Sequence, residues 1–249
     1  MTNSTHGLWK LAERCLYYAY YYQYELVAPY LQRLRHEGEE SDLEIWGRLS
    51  ALCAMANHIT YSDLLMDLKR LGSASAWRGA SGVWTHSGNI KAHSNQCFTG
   101  LEYGLSTQMH IAKVVAQEIS GLFRSKAQML LIPHQLLEHY FSVLSKEEEQ
   151  HKRELWGFSE WLNATSQHDP MLALSAAELY LAHIQSSKGY LYDRDHHFTQ
   201  FLTRLFAEAE EQEELDDGQM LHGVVALQDV LLALGVRGID DWLKAAERP

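Results

Sequence analysis

Apolar residues recur three and four positions apart along almost the whole chain, and runs of alternating β-branched residues are missing. That pattern predicts helices throughout and no strand. A first helix is expected over about residues 6–22 and a second up to about Arg35, followed by the acidic turn HEGEES. A third, LEIWGRLSALCAMA, closes at Asn57 and His58. Thr60 then stands three residues ahead of Asp63, an N-cap followed by an acidic residue in the first turn, and Gly72 stops the helix LLMDLKRL.

Residues 73–89, SASAWRGASGVWTHSGN, are rich in Ser and Gly and read as a loop anchored by Trp77 and Trp84. Helical spacing resumes in IKAHSNQCFTGLEYGL and MHIAKVVAQEISGLF, then breaks between Arg124 and Met129. Pro133 suits the first turn of HQLLEHYFSVL, and Ser145 suits a cap for one long helix, KEEEQHKRELWGFSEWLNA. Asp169 and Pro170 form an N-cap and first-turn pair ahead of MLALSAAELYLAHI. Residues 187–195 read as a turn, and a helix from about His196 to Leu215 follows. Gly235 caps MLHGVVALQDVLLAL, and IDDWLKAA closes the chain.

The expected fold class is therefore all-α: about eleven helices in irregular antiparallel hairpins, stacked as an α-solenoid of the TPR or HEAT kind. The break near residues 125–130 separates an amino-terminal lobe, 1–124, from a carboxyl-terminal lobe, 130–249; one continuous solenoid is the alternative.

The run CLYYAYYYQY adds a specific expectation. On a helix, Tyr17, Tyr20, Tyr21 and Tyr24 share one stripe and pack against the next helix, whereas Tyr18 and Tyr22 face elsewhere, toward another chain.

Charge narrows the function classes. With 32 acidic against 21 basic residues, a net charge of −11 opposes a role in coating nucleic acid. Three cysteines, Cys15, Cys53 and Cys97, are too few and too scattered for a disulfide framework and read as reduced, buried thiols. No stretch approaches the uninterrupted apolar length of a membrane span, so no membrane partner is expected and a cytoplasmic location is.

The candidate chemistry is thin. Fourteen histidines invite a metal reading, but Glu148 with His151 is a single Glu-x-x-His pair. His134 and His139 lie five apart, a spacing that does not aim both rings at one ion, and His196 and His197 are merely adjacent. No phosphate-binding loop, dinucleotide fingerprint or nucleophile elbow is present in the sequence. Cys97 stands four residues after His93 on a helical pattern, a spacing more often occupied by packing than by a catalytic thiol. No cofactor is expected.

Two stretches read as partner-binding. Trp77, Arg78 and Trp84 combine aromatic anchors with a cation in the expected loop. The run EAEEQEELDD, containing Glu210, Glu211, Glu213 and Glu214, places acidic charge at a helix C-terminus, where it opposes the macrodipole.

The stretch LWGFSEWLNATSQHDPMLALSAAELYLAHI, with the closing segment from FTQFLTRLF to the final Pro249, resembles the C-terminal helical-repeat regions of very large bacterial antiviral-defence ATPases of the STAND, P-loop type. The resemblance covers about residues 155–249 and carries no catalytic motif. It implies a helical array that recognises a trigger or assembles an oligomer beside an effector and an ATPase domain, neither of which this sequence contains. A fragment of a longer protein and a separate subunit both fit.

Together these observations lead to the expectation of a non-enzymatic protein-interaction or assembly module of a bacterial antiphage system. Its partner would be a large P-loop ATPase or a second copy of itself. An immunity protein that neutralises a toxin through the acidic run is the first alternative; a metal-dependent helical enzyme using Glu148 and His151 is the second.

Overall fold

The computed structural model describes residues 23–124, 132–146, 157–186, 197–212 and 219–234. Among them are eleven helices and no strand. They are α1 (Tyr24–Glu37), α2 (Glu40–Met55), α3 (Tyr61–Leu71), α4 (Ala74–Trp84), α5 (Ser87–Leu105) and α6 (Met109–Arg124), then α7 (His134–Leu144), α8 (Phe158–Thr165), α9 (Pro170–Ser186), α10 (His197–Gln212) and α11 (Gln219–Ala233). No described helix is long and apolar enough to cross a membrane. The chain divides into two units, Met1–Ile119 and Ser120–Pro249, with the division inside α6.

Local chemistry sets several helix ends. Thr60 caps α3, its hydroxyl oxygen accepting from the Asp63 amide at 3.1 Å, and Gly72 closes the same helix in the left-handed region at φ 61°. Asp169 accepts from the Leu172 amide at 2.9 Å, with Pro170 first in α9. Glu39 and Asp42 exchange side-chain and main-chain bonds at the start of α2, as a capping box does. Pro133 is the N-cap of α7 rather than a first-turn residue.

Two expectations change. Gln23, at φ −146° and ψ 60°, is non-helical and Tyr24 opens α1, so Tyr24 begins a helix of its own, while Tyr17, Tyr20 and Tyr21, its expected stripe partners, lie outside the described residues. The Tyr24 ring stacks on His58, 5.1 Å between centroids. Gly157 adopts φ 100°, which no helix interior permits, so the helix expected over 146–164 is broken there and α8 begins at Phe158. Ser145 closes α7, donating its hydroxyl to the Phe141 carbonyl at 2.8 Å.

In the first unit, α2 and α4 meet backbone to backbone. A Cβ at Gly47 would fall on the Ala76 carbonyl, and one at Gly79 on the Glu44 carbonyl, so both glycines are required by the close approach. Leu49, Leu64, Leu68, Trp77, Trp84 and Leu101 fill the core beneath, each 2 % exposed or less. Arg35 of α1 bridges to Asp67 of α3 at 2.6 Å.

The second unit is organised by aromatic rings. Phe123 meets Tyr140, Phe158 and Trp161 at centroid distances of 5.6, 4.8 and 5.5 Å, and Phe158 meets Tyr180 at 4.7 Å. The buried Tyr140 hydroxyl pairs with Ser120 at 2.8 Å. Arg204 of α10 donates to the Asn163 carbonyl at 2.6 Å and to the Asn163 side chain at 3.2 Å, satisfying the C-terminal end of α8 with a cation.

Candidate functional site

Helix α4 has the sequence ASAWRGASGVW, and the 3.6-residue period divides it cleanly. Trp77, Ser81 and Trp84 fall on one stripe and are fully buried, whereas Arg78 and Gly82 are exposed. The loop expected over residues 73–89 is thereby corrected. Ser73 is an N-cap, accepting from the Ala76 amide at 3.2 Å, and the small residues are contact positions rather than breakers. The chain turns only at Thr85 and His86 before α5.

The reading of Trp77 and Trp84 as exposed partner anchors is corrected with it. Both rings are 0 % exposed, 6.2 Å apart in an edge-on arrangement, and seated over glycines of α5. A Cβ at Gly100 would stand 2.9 Å from Trp84 Cε3, and one at Gly104 would stand 2.9 Å from Trp77 Cζ3. The missing side chains make room for the indoles. The signal was present in the sequence as Gly100 and Gly104, four apart, but only the packing pairs them with Trp77 and Trp84.

Arg78 remains at the surface and gains neighbours that the sequence did not group with it. Glu44 and Arg48 of α2 form an ion pair at 3.3 Å, and Glu118 of α6 interacts with Arg78, Glu44 and Arg48. Burial holds the Glu118 carboxyl above its ordinary pKa; Arg78 and Arg48 oppose that shift and Glu44 adds to it. A Cβ at Gly82 would lie 3.7 Å from the Glu118 carboxylate, so the surface beside the charges carries no covering side chain. Four charges from three helices thus share one face of the first unit.

A second feature lies where α3, α5 and α6 end or begin. Lys69, Tyr103, Ser106, Thr107, Gln108 and Ile111 line an open cleft of about 350 Å³. The Tyr103 ring is stacked on Trp77, 6.3 Å between centroids at an interplanar angle of 22°, which ties this wall to the core. Ser106 donates its hydroxyl proton to the Tyr103 carbonyl at 2.8 Å and Thr107 to the Gly104 carbonyl at 2.6 Å, leaving lone pairs for a donor in the cleft. His110 meets the Gly72 carbonyl through Nε2 at 3.3 Å beside it.

The remaining candidates are structural. Cys97 is 0 % exposed, and burial pushes its thiol up to about 12, so it carries no thiolate for nucleophilic attack at neutral pH. His93 marks a kink in α5. Burial also raises the pKa of Tyr61, whose hydroxyl donates to the Gln96 carbonyl. In the second unit Ser145 approaches His183 Nδ1 at 3.3 Å; with its proton on the Phe141 carbonyl, the serine oxygen serves as an acceptor in a capped helix end. His134 pairs with Glu138 at 3.7 Å, and no group of three potential metal ligands occurs among the described residues.

Tyr18, Tyr22, Glu148, His151, His196, Glu213 and Glu214 lie outside the described residues. Glu210 and Glu211 belong to the last turn of α10, which Leu205 and Ala209 anchor from its buried side; the side chains of both glutamates lie outside the description.

Comparison of the chain with protein-family models, with curated proteins and with solved structures finds no match.

Proposed function

We propose that this chain is a non-enzymatic module for protein recognition or assembly, built from stacked helical hairpins and working in a bacterial antiphage system with a large P-loop ATPase or a second copy of itself. The observation that carries the reading is the face on which the exposed Arg78 is gathered with the half-buried Glu44, Arg48 and Glu118 from α2, α4 and α6. Such a face offers paired charges of both signs on a backbone held by the contacts of Gly47 and Gly79. Complementary charge of this kind selects a partner and speeds encounter more than it adds affinity.

The stacked-hairpin part has its own support. Among the described helices, α7 packs on α9, α8 on α10 and α9 on α11, the second-neighbour pattern of a helical array.

The test is capture of the full chain's partners from its native host under mild lysis, with native mass spectrometry of the purified chain alongside. Retention of a P-loop ATPase, or a defined oligomer, that is lost in Arg78→Glu and kept in Arg70→Glu supports the proposal. A monomer that retains no such partner overturns it.

The acidic run supports the immunity reading as the second choice. Seven of the ten residues from Glu208 to Asp217 are acidic, which suits a basic toxin surface. Recovery of a small basic toxin, released when Glu210, Glu211, Glu213 and Glu214 are changed to Gln, would replace the first reading with this one.

A further inference from the structure

The cleft of about 350 Å³ at the α3, α5 and α6 ends combines three kinds of wall. Lys69 supplies a cation that makes no ion pair or hydrogen bond among the described residues. Ser106 and Thr107 supply acceptors, because each has spent its hydroxyl proton on a carbonyl of α5. Tyr103 and the buried Ile111 supply the apolar side, and Tyr103 is held in place by its stack on Trp77.

Each wall constrains the ligand. An ammonium is a point charge without the planar fork of a guanidinium, and it suits a multi-oxygen anion that can be approached from any side. The hydroxyl oxygens favour a ligand that carries hydroxyl donors in addition to its anionic group. The volume sits at the small end of ligand sites, roughly 300–1,000 Å³. A chain of net charge −11 repels anions in general, so binding here has to come from the local arrangement.

We propose that this cleft binds a small phosphate monoester bearing free hydroxyls, with its phosphate on Lys69 and its hydroxyls donated to Ser106 and Thr107. The site is separate from the Arg78 face in the residues it uses, and the proposal does not depend on the interaction reading.

The experiment is calorimetric titration of the full chain with ribose 5-phosphate, adenosine 5′-monophosphate and inorganic phosphate, repeated for Lys69→Ala, Thr107→Val and Arg70→Ala. Thermal unfolding of each variant establishes that it is folded. Arg70 is the control because it is a cation on the same helix, lies 4.0 Å from Asp67 and does not line the cleft. The expected result is binding of at least one ester, more tightly than inorganic phosphate. Loss of a charge-assisted bond should weaken it about tenfold or more in Lys69→Ala, and loss of a neutral one about threefold or more in Thr107→Val. Arg70→Ala should bind as the parent does. Absence of ester binding at millimolar concentration overturns the proposal, as does equal loss in Arg70→Ala. Inorganic phosphate binding as tightly as both esters overturns the assigned ligand class.

Discussion

Trp77 occupies the space that a side chain at Gly104 would fill: a Cβ there would stand 2.9 Å from Trp77 Cζ3 and 2.8 Å from Val115 Cγ2. The indole, the glycine and the valine belong to three successive helices, α4, α5 and α6. Gly100 has the same relation to Trp84.

Gly104→Ala should therefore destabilise the first unit although alanine favours helix. Overpacking costs roughly 1–3 kcal/mol, against about 1 kcal/mol gained from helix propensity. The expected net loss is about 1 kcal/mol, read as a lower urea midpoint. Gly82→Ala, at an exposed position with ordinary contacts, should be stabilising. Equal effects at the two glycines would contradict the packing argument.

Caps carry measurable stability on both units. Thr60→Ala and Asp169→Ala each remove the acceptor for a first-turn amide, and each should cost about 1 kcal/mol. Thr60→Ser, which keeps the oxygen, should recover most of that loss in urea unfolding.

Arg204 holds the end of α8 through charge-assisted bonds to Asn163. Arg204→Ala should lower stability by about 1–2 kcal/mol, the range for a cation satisfying helix-terminal carbonyls. Arg204→Lys keeps the charge but loses the geometry of the fork and should fall between the two. Chemical denaturation followed by circular dichroism distinguishes the three.

Cys97 gives the chain a defined alkaline limit. Burial raises its folded pKa from the ordinary 9.0 to about 12, so the folded state holds the proton more tightly than the unfolded state does. Its contribution is fully present below pH 9 and declines as pH rises from 9 toward 12. Tyr61, raised for the same reason from 10.0, adds to the decline at the upper end. Urea unfolding across that range should show a shallower fall in Cys97→Ala than in the parent chain, and thiol reagents at pH 8 should label Cys97 only after unfolding. Rapid labelling of the folded protein at that pH would refute the burial argument.

What the sequence determined by itself was local. The 3.6-residue apolar period identified the described helices other than α4, because a helix must bury one stripe wherever it lies. Thr60 with Gly72 and Asp169 with Pro170 announced their ends, because caps are satisfied within a few residues. Cys53 and Cys97 were legible as buried thiols because the cysteines are too few and too scattered for a disulfide framework. The tertiary structure decided what depends on partners distant in the chain. Ser and Gly over residues 73–89 have the composition of a loop, and their role as contacts became visible only when α2 met α4 at Gly47 and Gly79. Trp77 and Trp84 turned inward because glycines some twenty residues further on leave space for them. Arg78 joined Glu118, and Lys69 came to line one cleft with Thr107, for the same reason: short-range periodicity fixes which side of a helix a residue is on, and only packing decides what that side meets.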